Sequence, residues 1–93
     1  MTTWITEEPL DLDALIRETE DVSCGALVVF SGTVREQNDG LPVSGMTYEA
    51  HVELATKVLQ DLEAEVRQKF NVPQCRIVHR IGPLDLGEVS VYV

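Results

Sequence analysis

Basic residues are scarce in this sequence. Seven lysines and arginines stand against 16 acids, a formal charge of −9 at pH 7. That balance excludes a general nucleic-acid binder, which needs a basic footprint, and disfavours an anionic membrane surface. Cysteine is scarcer still: Cys24 and Cys75 are too few for a disulfide scaffold and are not spaced as a Cys-x-x-Cys redox pair. Both read as buried, inert thiols in a reducing, cytoplasmic setting. No apolar run approaches the ~20 residues of a membrane span, the longest being residues 25–30. The start, Met1 to Glu8, lacks the basic residue and apolar stretch of a secretory leader. Glu49, His51 and Glu53 alternate like metal ligands, but a helix beginning among them scatters them, so no metal is expected.

What is present is the composition of one small globular domain over residues 1–93, with 44% apolar and 25% charged residues. The acids concentrate early: residues 1–24 hold Glu7, Glu8, Asp11, Asp13, Glu18, Glu20 and Asp21 against Arg17 alone. Most other bases are Arg35, Arg67, Lys69, Arg76 and Arg80. An acidic body that keeps local arginines can still hold a small anion at one spot, although a solvated acidic surface is the simpler reading.

Periodicity places a short strand at 4–6 and a helix at 11–20, N-capped by Asp11, with Leu12, Leu15 and Ile16 as its buried stripe. Residues 25–30 are apolar on both parities and predict a strand buried on both faces. Gly32 then breaks the pattern and predicts a bulge or a close approach of another group. Residues 36–42 read as a loop, and 44–50 as a strand. A long helix follows over 52–70, with Ala55, Val58, Leu59, Leu62, Val66 and Phe70 on one face and Glu53–Lys57, Glu63–Arg67 and Glu65–Lys69 as i,i+4 pairs. Asn71 and Pro73 end it. Residues 76–81 alternate as a strand, Gly82-Pro83 and Leu86-Gly87-Glu88 read as turns, and 89–93 as a strand. A raw apolar strand with no turn after it is an edge liability, so either immediate pairing with another chain or a fragment of something longer is expected, and the fragment is favoured.

Three motifs stand in order: Gly25-Ala-x-Val-x-Phe30-x-Gly32-x-Val34-Arg35-x-x-Asn38-x-Gly40, then Tyr48-Glu49-Ala50, then His79-Arg80-Ile81-Gly82-x-Leu84-x-x-Gly87-Glu88. Together they resemble the large, catalytic subunit of molybdopterin synthase, the MoaE family. The resemblance covers residues 25–93, with a looser match before. It implies an α+β fold of the hammerhead type, with a mixed or antiparallel sheet, two helices and additional antiparallel strands. It also implies a cytoplasmic homodimer whose large subunits each bind a small ubiquitin-like sulfur-carrier subunit, making a heterotetramer. The implied reaction is a sulfurtransferase step of molybdenum cofactor biosynthesis. The carrier's C-terminal thiocarboxylate supplies the dithiolene sulfurs that turn cyclic pyranopterin monophosphate into molybdopterin, with no cofactor.

The sequence departs from the family in one respect. Family members continue past the position of Val93, with a second His-Arg pair and two lysines, one near the end of a Lys-x-x-x-Pro-x-Trp-Lys pattern. Here the only lysines are Lys57 and Lys69, both on the long helix. No catalytic residue is therefore assigned, and those groups are expected beyond Val93, the chain being the N-terminal two thirds of such a domain. The alternative is a truncated module that binds the carrier or dimerises without turnover; a third reading is a small ligand-sensing regulator.

Within the chain, Arg35 is the first candidate for substrate binding. A guanidinium at the end of the glycine-broken segment can grip a phosphate or carboxylate with forked hydrogen bonds, or else pair with Glu36 or Glu49. Thr33 and Val34 share its segment, and their backbone groups are candidates for the same anion site. Phe30 reads as core first, with stacking in a pterin pocket as the alternative. The 36–42 loop is either a lid or a plain flexible loop. His79, between Ile77 and Ile81, reads as a satisfied core histidine, and Arg80 as a surface or subunit contact.

Overall fold

The computed structural model describes residues 3–38, 41–42 and 45–93. In chain order its elements are β1 (Ile5–Thr6), α1 (Leu12–Thr19), β2 (Ser31–Thr33), β3 (Gln37–Asn38), β4 (Leu41–Pro42), β5 (Gly45–Tyr48), α2 (Val52–Phe70), β6 (Val78–Arg80), β7 (Gly82–Asp85) and β8 (Val89–Tyr92). Ser44, where the third strand was expected to begin, lies outside the described residues, as do Asp39 and Gly40 at the tip of the expected loop.

Both helices start on a side-chain cap. Asp11 accepts from the Ala14 N–H at 3.1 Å, as the sequence predicts. His51 caps α2 by accepting from the Leu54 N–H at 3.2 Å, which removes it from any metal cluster. Asn71 ends α2 in the left-handed region, at φ 52°, the conformation its short polar side chain tolerates.

Four strands form one sheet in the order β1-β6-β8-β2. β1 runs parallel to β6, while β6–β8 and β8–β2 are antiparallel, so the sheet is mixed. β5 pairs antiparallel with β7, and β3 with β4. The result is an α+β architecture. Its terminal strand is not the exposed edge the sequence suggested: β8 lies inside the sheet, between β6 and β2.

The bulge expected at Gly32 is present. The β2–β8 register slips between Gly32 and Thr33. A Cβ at Gly32 would stand 2.7 Å from Val91 Cγ1, so the close approach is to the neighbouring strand.

Residues 25–30 depart from expectation. Phe30 and Val93 exchange both backbone hydrogen bonds, at 2.7 and 2.9 Å, and there the ladder ends. Residues 25–29 have no strand opposite them and belong to no ladder. Leu27, Val28 and Phe30 are 56%, 86% and 61% exposed, so the segment is not buried on both faces and Phe30 is not core.

The 36–42 segment also differs: β3 and β4 pair, Gln37 with Pro42 and Asn38 with Leu41, as a short hairpin. Gly82-Pro83 is not a turn but the start of β7, with Gly82 at φ +90°. The turn falls at Leu86-Gly87, with Gly87 at φ +81°.

The hydrophobic core of described residues is Val34, Ile77, Val78 and Leu84. α2 presents Ala55, Leu59 and Val66 inward but leaves Val58, Leu62 and Phe70 exposed, because the centre of its inner face is Glu63, 4% exposed. Glu63 is thus not the surface partner of Arg67, and Lys57 pairs forward with Asp61 at 3.5 Å.

Candidate functional site

The segment that carries Arg35 is anchored one residue earlier. Val34 is 2% exposed and follows the bulge. Its N–H donates to the Glu88 carbonyl at 3.0 Å, and its carbonyl accepts from the Gly87 N–H at 2.8 Å. Both backbone groups of Val34 are thereby spent on the β7–β8 turn, so they do not face an anion. Arg35 comes next, exposed, outside β2 and just before the β3–β4 hairpin. Thr33 is exposed at the end of β2, paired in register with Val89.

The turn that receives Val34 is itself pinned. The Glu88 carboxylate accepts from the Asp85 N–H at 2.7 Å and from the Arg80 guanidinium at 2.6 Å. These two bonds, the backbone one foremost, hold its pKa below the ordinary carboxylate range. Arg80 also donates from Nε to the Glu7 carbonyl at 3.1 Å, which ties β6 to the segment after β1. The surface pairing expected of Arg80 is therefore to Glu88.

A cleft of about 1050 Å3 opens elsewhere, between α1, residues 20–30, the end of α2 and the last residues of the chain. Leu15, Ile16, Val28, Phe30, Val66 and Tyr92 make it largely apolar. Phe30 lines it; Thr33, Val34 and Arg35 do not. The structure thus separates the two predicted features, a cationic step and an aromatic-lined pocket, along the same stretch of chain.

A second polar centre escaped the sequence. Glu63 accepts from Trp4 Nε1 at 2.9 Å, from the Ile77 N–H at 2.7 Å and from Arg76 at 2.8 Å. Arg76 also bonds the Glu18 carboxylate at 3.0 Å and the Thr3 carbonyl at 2.7 Å, and lies over the Trp4 ring at 5.1 Å. This hub joins the N-terminal segment, both helices and the start of β6. The signal for it was present: an acid at i+4 from Leu59 and three before Val66 sits on the apolar face, not beside it.

His79 is half-buried rather than core, and its Nδ1 lies 2.7 Å from the Arg80 carbonyl, so the ring has a partner as expected while its burial is less than expected. Cys75 is half-buried; burial, and then the Glu63 charge, pushes its thiol pKa up, which favours the unreactive form. Cys24 is exposed, not buried as expected. Among the described residues, no three His, Cys, Asp or Glu side chains could hold a metal ion. No helix among them is long and apolar enough to cross a membrane.

An α+β protein with a mixed sheet and one arginine held at the exit of its bulged strand is the class these features define. Comparison with known proteins makes it specific. The chain belongs to the MoaE family, whose model, described as MoaE protein, matches residues 5–93. It is 36% identical over 89 residues to the molybdopterin synthase catalytic subunit of Bacillus subtilis, and 40% identical over 90 residues to that of Nostoc. These matches span 96% of the chain but 57% and 54% of the relatives, so the chain spans little more than half their length. Among solved structures, the crystal structure of molybdopterin synthase from Staphylococcus aureus superposes with a TM-score of 0.90 at 34% identity, covering 97% of this chain and 66% of that one.

Proposed function

We propose that this chain acts as the catalytic-subunit body of a cytoplasmic molybdopterin synthase. In that reading it holds cyclic pyranopterin monophosphate while a small ubiquitin-like carrier delivers sulfur from its C-terminal thiocarboxylate, within a homodimer of large subunits that binds two carriers. The observation that carries the reading is the placement of Arg35, exposed one residue after the clamped, buried Val34, in a chain of the MoaE family. A guanidinium so placed suits a phosphate monoester, because its planar fork can hold two phosphate oxygens at once. Thr33 and Val34 set the segment's position, and Phe30 belongs to the neighbouring cleft as a surface for an aromatic ring. Positioning and charge neutralisation supply most of the rate in such a site, since a thiocarboxylate is already a competent nucleophile. Lys57 and Lys69 lie on α2 and receive no role in the chemistry.

The test is Arg35→Ala and Arg35→Lys, assayed for binding of cyclic pyranopterin monophosphate and for product formation with thiocarboxylated carrier. Loss of a charge-assisted pair predicts affinity down about tenfold or more for alanine, with lysine recovering only part. Wild-type binding by Arg35→Ala removes Arg35 from the site.

A further inference from the structure

Arg35 lies between β2 and β3, one residue past a point where the backbone is held on both sides. The last anchored residue before it is Val34, and consecutive Cα atoms are only about 3.8 Å apart. Whatever holds Val34 therefore sets the origin from which the guanidinium reaches. Val34 is held by two backbone bonds, one to the Glu88 carbonyl and one from the Gly87 N–H. Those two residues lie at the β7–β8 turn, where Gly87 stands at φ +81°, a conformation of little intrinsic stability for other residues. The backbone closes this turn once, the Glu88 N–H donating to the Asp85 carbonyl at 3.2 Å. The Glu88 side chain closes it a second time and ties it to β6: one oxygen takes the Asp85 N–H across the turn, and the other takes Arg80. Arg80 is in turn braced by the Glu7 carbonyl, so the clamp reaches to the segment after β1.

From this geometry we infer that Glu88, oriented by Arg80, is a positioning residue for Arg35, acting through the β7–β8 turn and the two backbone bonds that the turn makes to Val34. The inference rests on the proposed role of Arg35 in anion binding. Glu88 touches no substrate in this scheme; it fixes where the arginine starts. The carboxylate, not merely an acceptor, is required, because the bond to Arg80 is charge-assisted and that bond aims the second oxygen at the turn.

The experiment uses the full chain, 15N-labelled, with inorganic phosphate as probe. Glu88→Ala, Glu88→Gln and Arg35→Ala are compared by amide exchange at Val34, Gly87 and, as a distant control, Leu59 in α2. Phosphate affinity is read from the same spectra. Glu88→Ala is expected to speed exchange at Val34 and Gly87 by about tenfold or more while Leu59 stays within about twofold. It should also weaken phosphate binding about threefold or more. Glu88→Gln, which keeps an acceptor for the Asp85 N–H, should restore part of both. Unchanged exchange at Val34 in Glu88→Ala overturns the inference, and so does equal acceleration at Val34 and Leu59, which marks a general stability effect. Local opening without any change in phosphate affinity overturns the positioning role as well, provided that Arg35→Ala abolishes binding. If Arg35→Ala binds phosphate like the wild type, the anion reading itself fails, whatever Glu88 does.

Discussion

The residue with the most to lose is Glu63, not any predicted site residue. Three donors from two parts of the chain, Trp4 near its start and the adjacent Arg76 and Ile77, converge on its two oxygens at 2.7 to 2.9 Å, inside the fold. A buried pair of this kind is poor evidence for net stabilisation relative to a well-packed apolar core. Removing one partner is another matter, because it strands the Trp4 and Ile77 N–H groups and leaves the sheltered Arg76 guanidinium with the partly exposed Glu18 as its one remaining carboxylate among the described residues. Glu63→Ala is therefore expected to cost ~3–5 kcal/mol, read as a lower urea midpoint at unchanged slope. Glu63→Gln is expected to cost less but still more than ~1 kcal/mol, because its amide must turn one NH2 toward a donor. A loss below that for both variants would mean the hub is a surface ornament that water replaces. The frame of the candidate site, not its roles, was legible at this scale. Gly32 announced the bulge, and Arg35 its exposed exit, from residue type alone. Glu63 was legible only through its place on the apolar face of α2, and Glu88 was not legible as special, since a charge looks alike in sequence whether it is solvated or spans a turn.

Elements were legible where local chemistry decides them and obscure where pairing does. α2 runs from Val52 to Phe70 as its caps dictate, and Asp11 starts α1 as read. Residues 25–30 are the counterexample. Their composition fits a buried strand, but a strand is made by its neighbour, and the β8 ladder reaches only to the Phe30–Val93 exchange. The β3–β4 hairpin shows the converse, since polar residues that read as loop pair because the chain turns back on itself. Amide exchange checks this directly. The Phe30 and Val93 amides are expected to be protected, while those of Ala26 to Val29 exchange at rates close to an unfolded peptide. Protection across residues 26–29 in the isolated chain would show that the segment finds a partner, in the same molecule or another copy.

At the scale of the whole molecule, the governing number is the charge of −9, carried on a body 44 × 28 × 24 Å in extent. At ~0.01 M ionic strength the screening length is about 30 Å, so nearly every acid repels nearly every other; at ~0.15 M it is about 8 Å and only near neighbours interact. The attractive pairs respond differently. Arg76 with Glu63 and Arg80 with Glu88 meet at 2.8 and 2.6 Å, with both guanidinium groups largely sheltered, so salt weakens them little. Raising salt therefore removes long-range repulsion faster than it removes short-range attraction. The melting temperature at neutral pH is expected to rise between ~0.01 and ~0.15 M NaCl, measured by circular dichroism at the α2 helical signal. A fall over the same range would mean that the arginine clasps are more exposed than their geometry indicates. The Glu88 clamp adds an acid limit to this behaviour. Because its native pKa lies below the ordinary carboxylate range, its contribution is complete at neutral pH and disappears as pH falls from that range through the native value. The salt-dependent rise should therefore be measured well above that range, where the clamp is whole and repulsion alone is being screened.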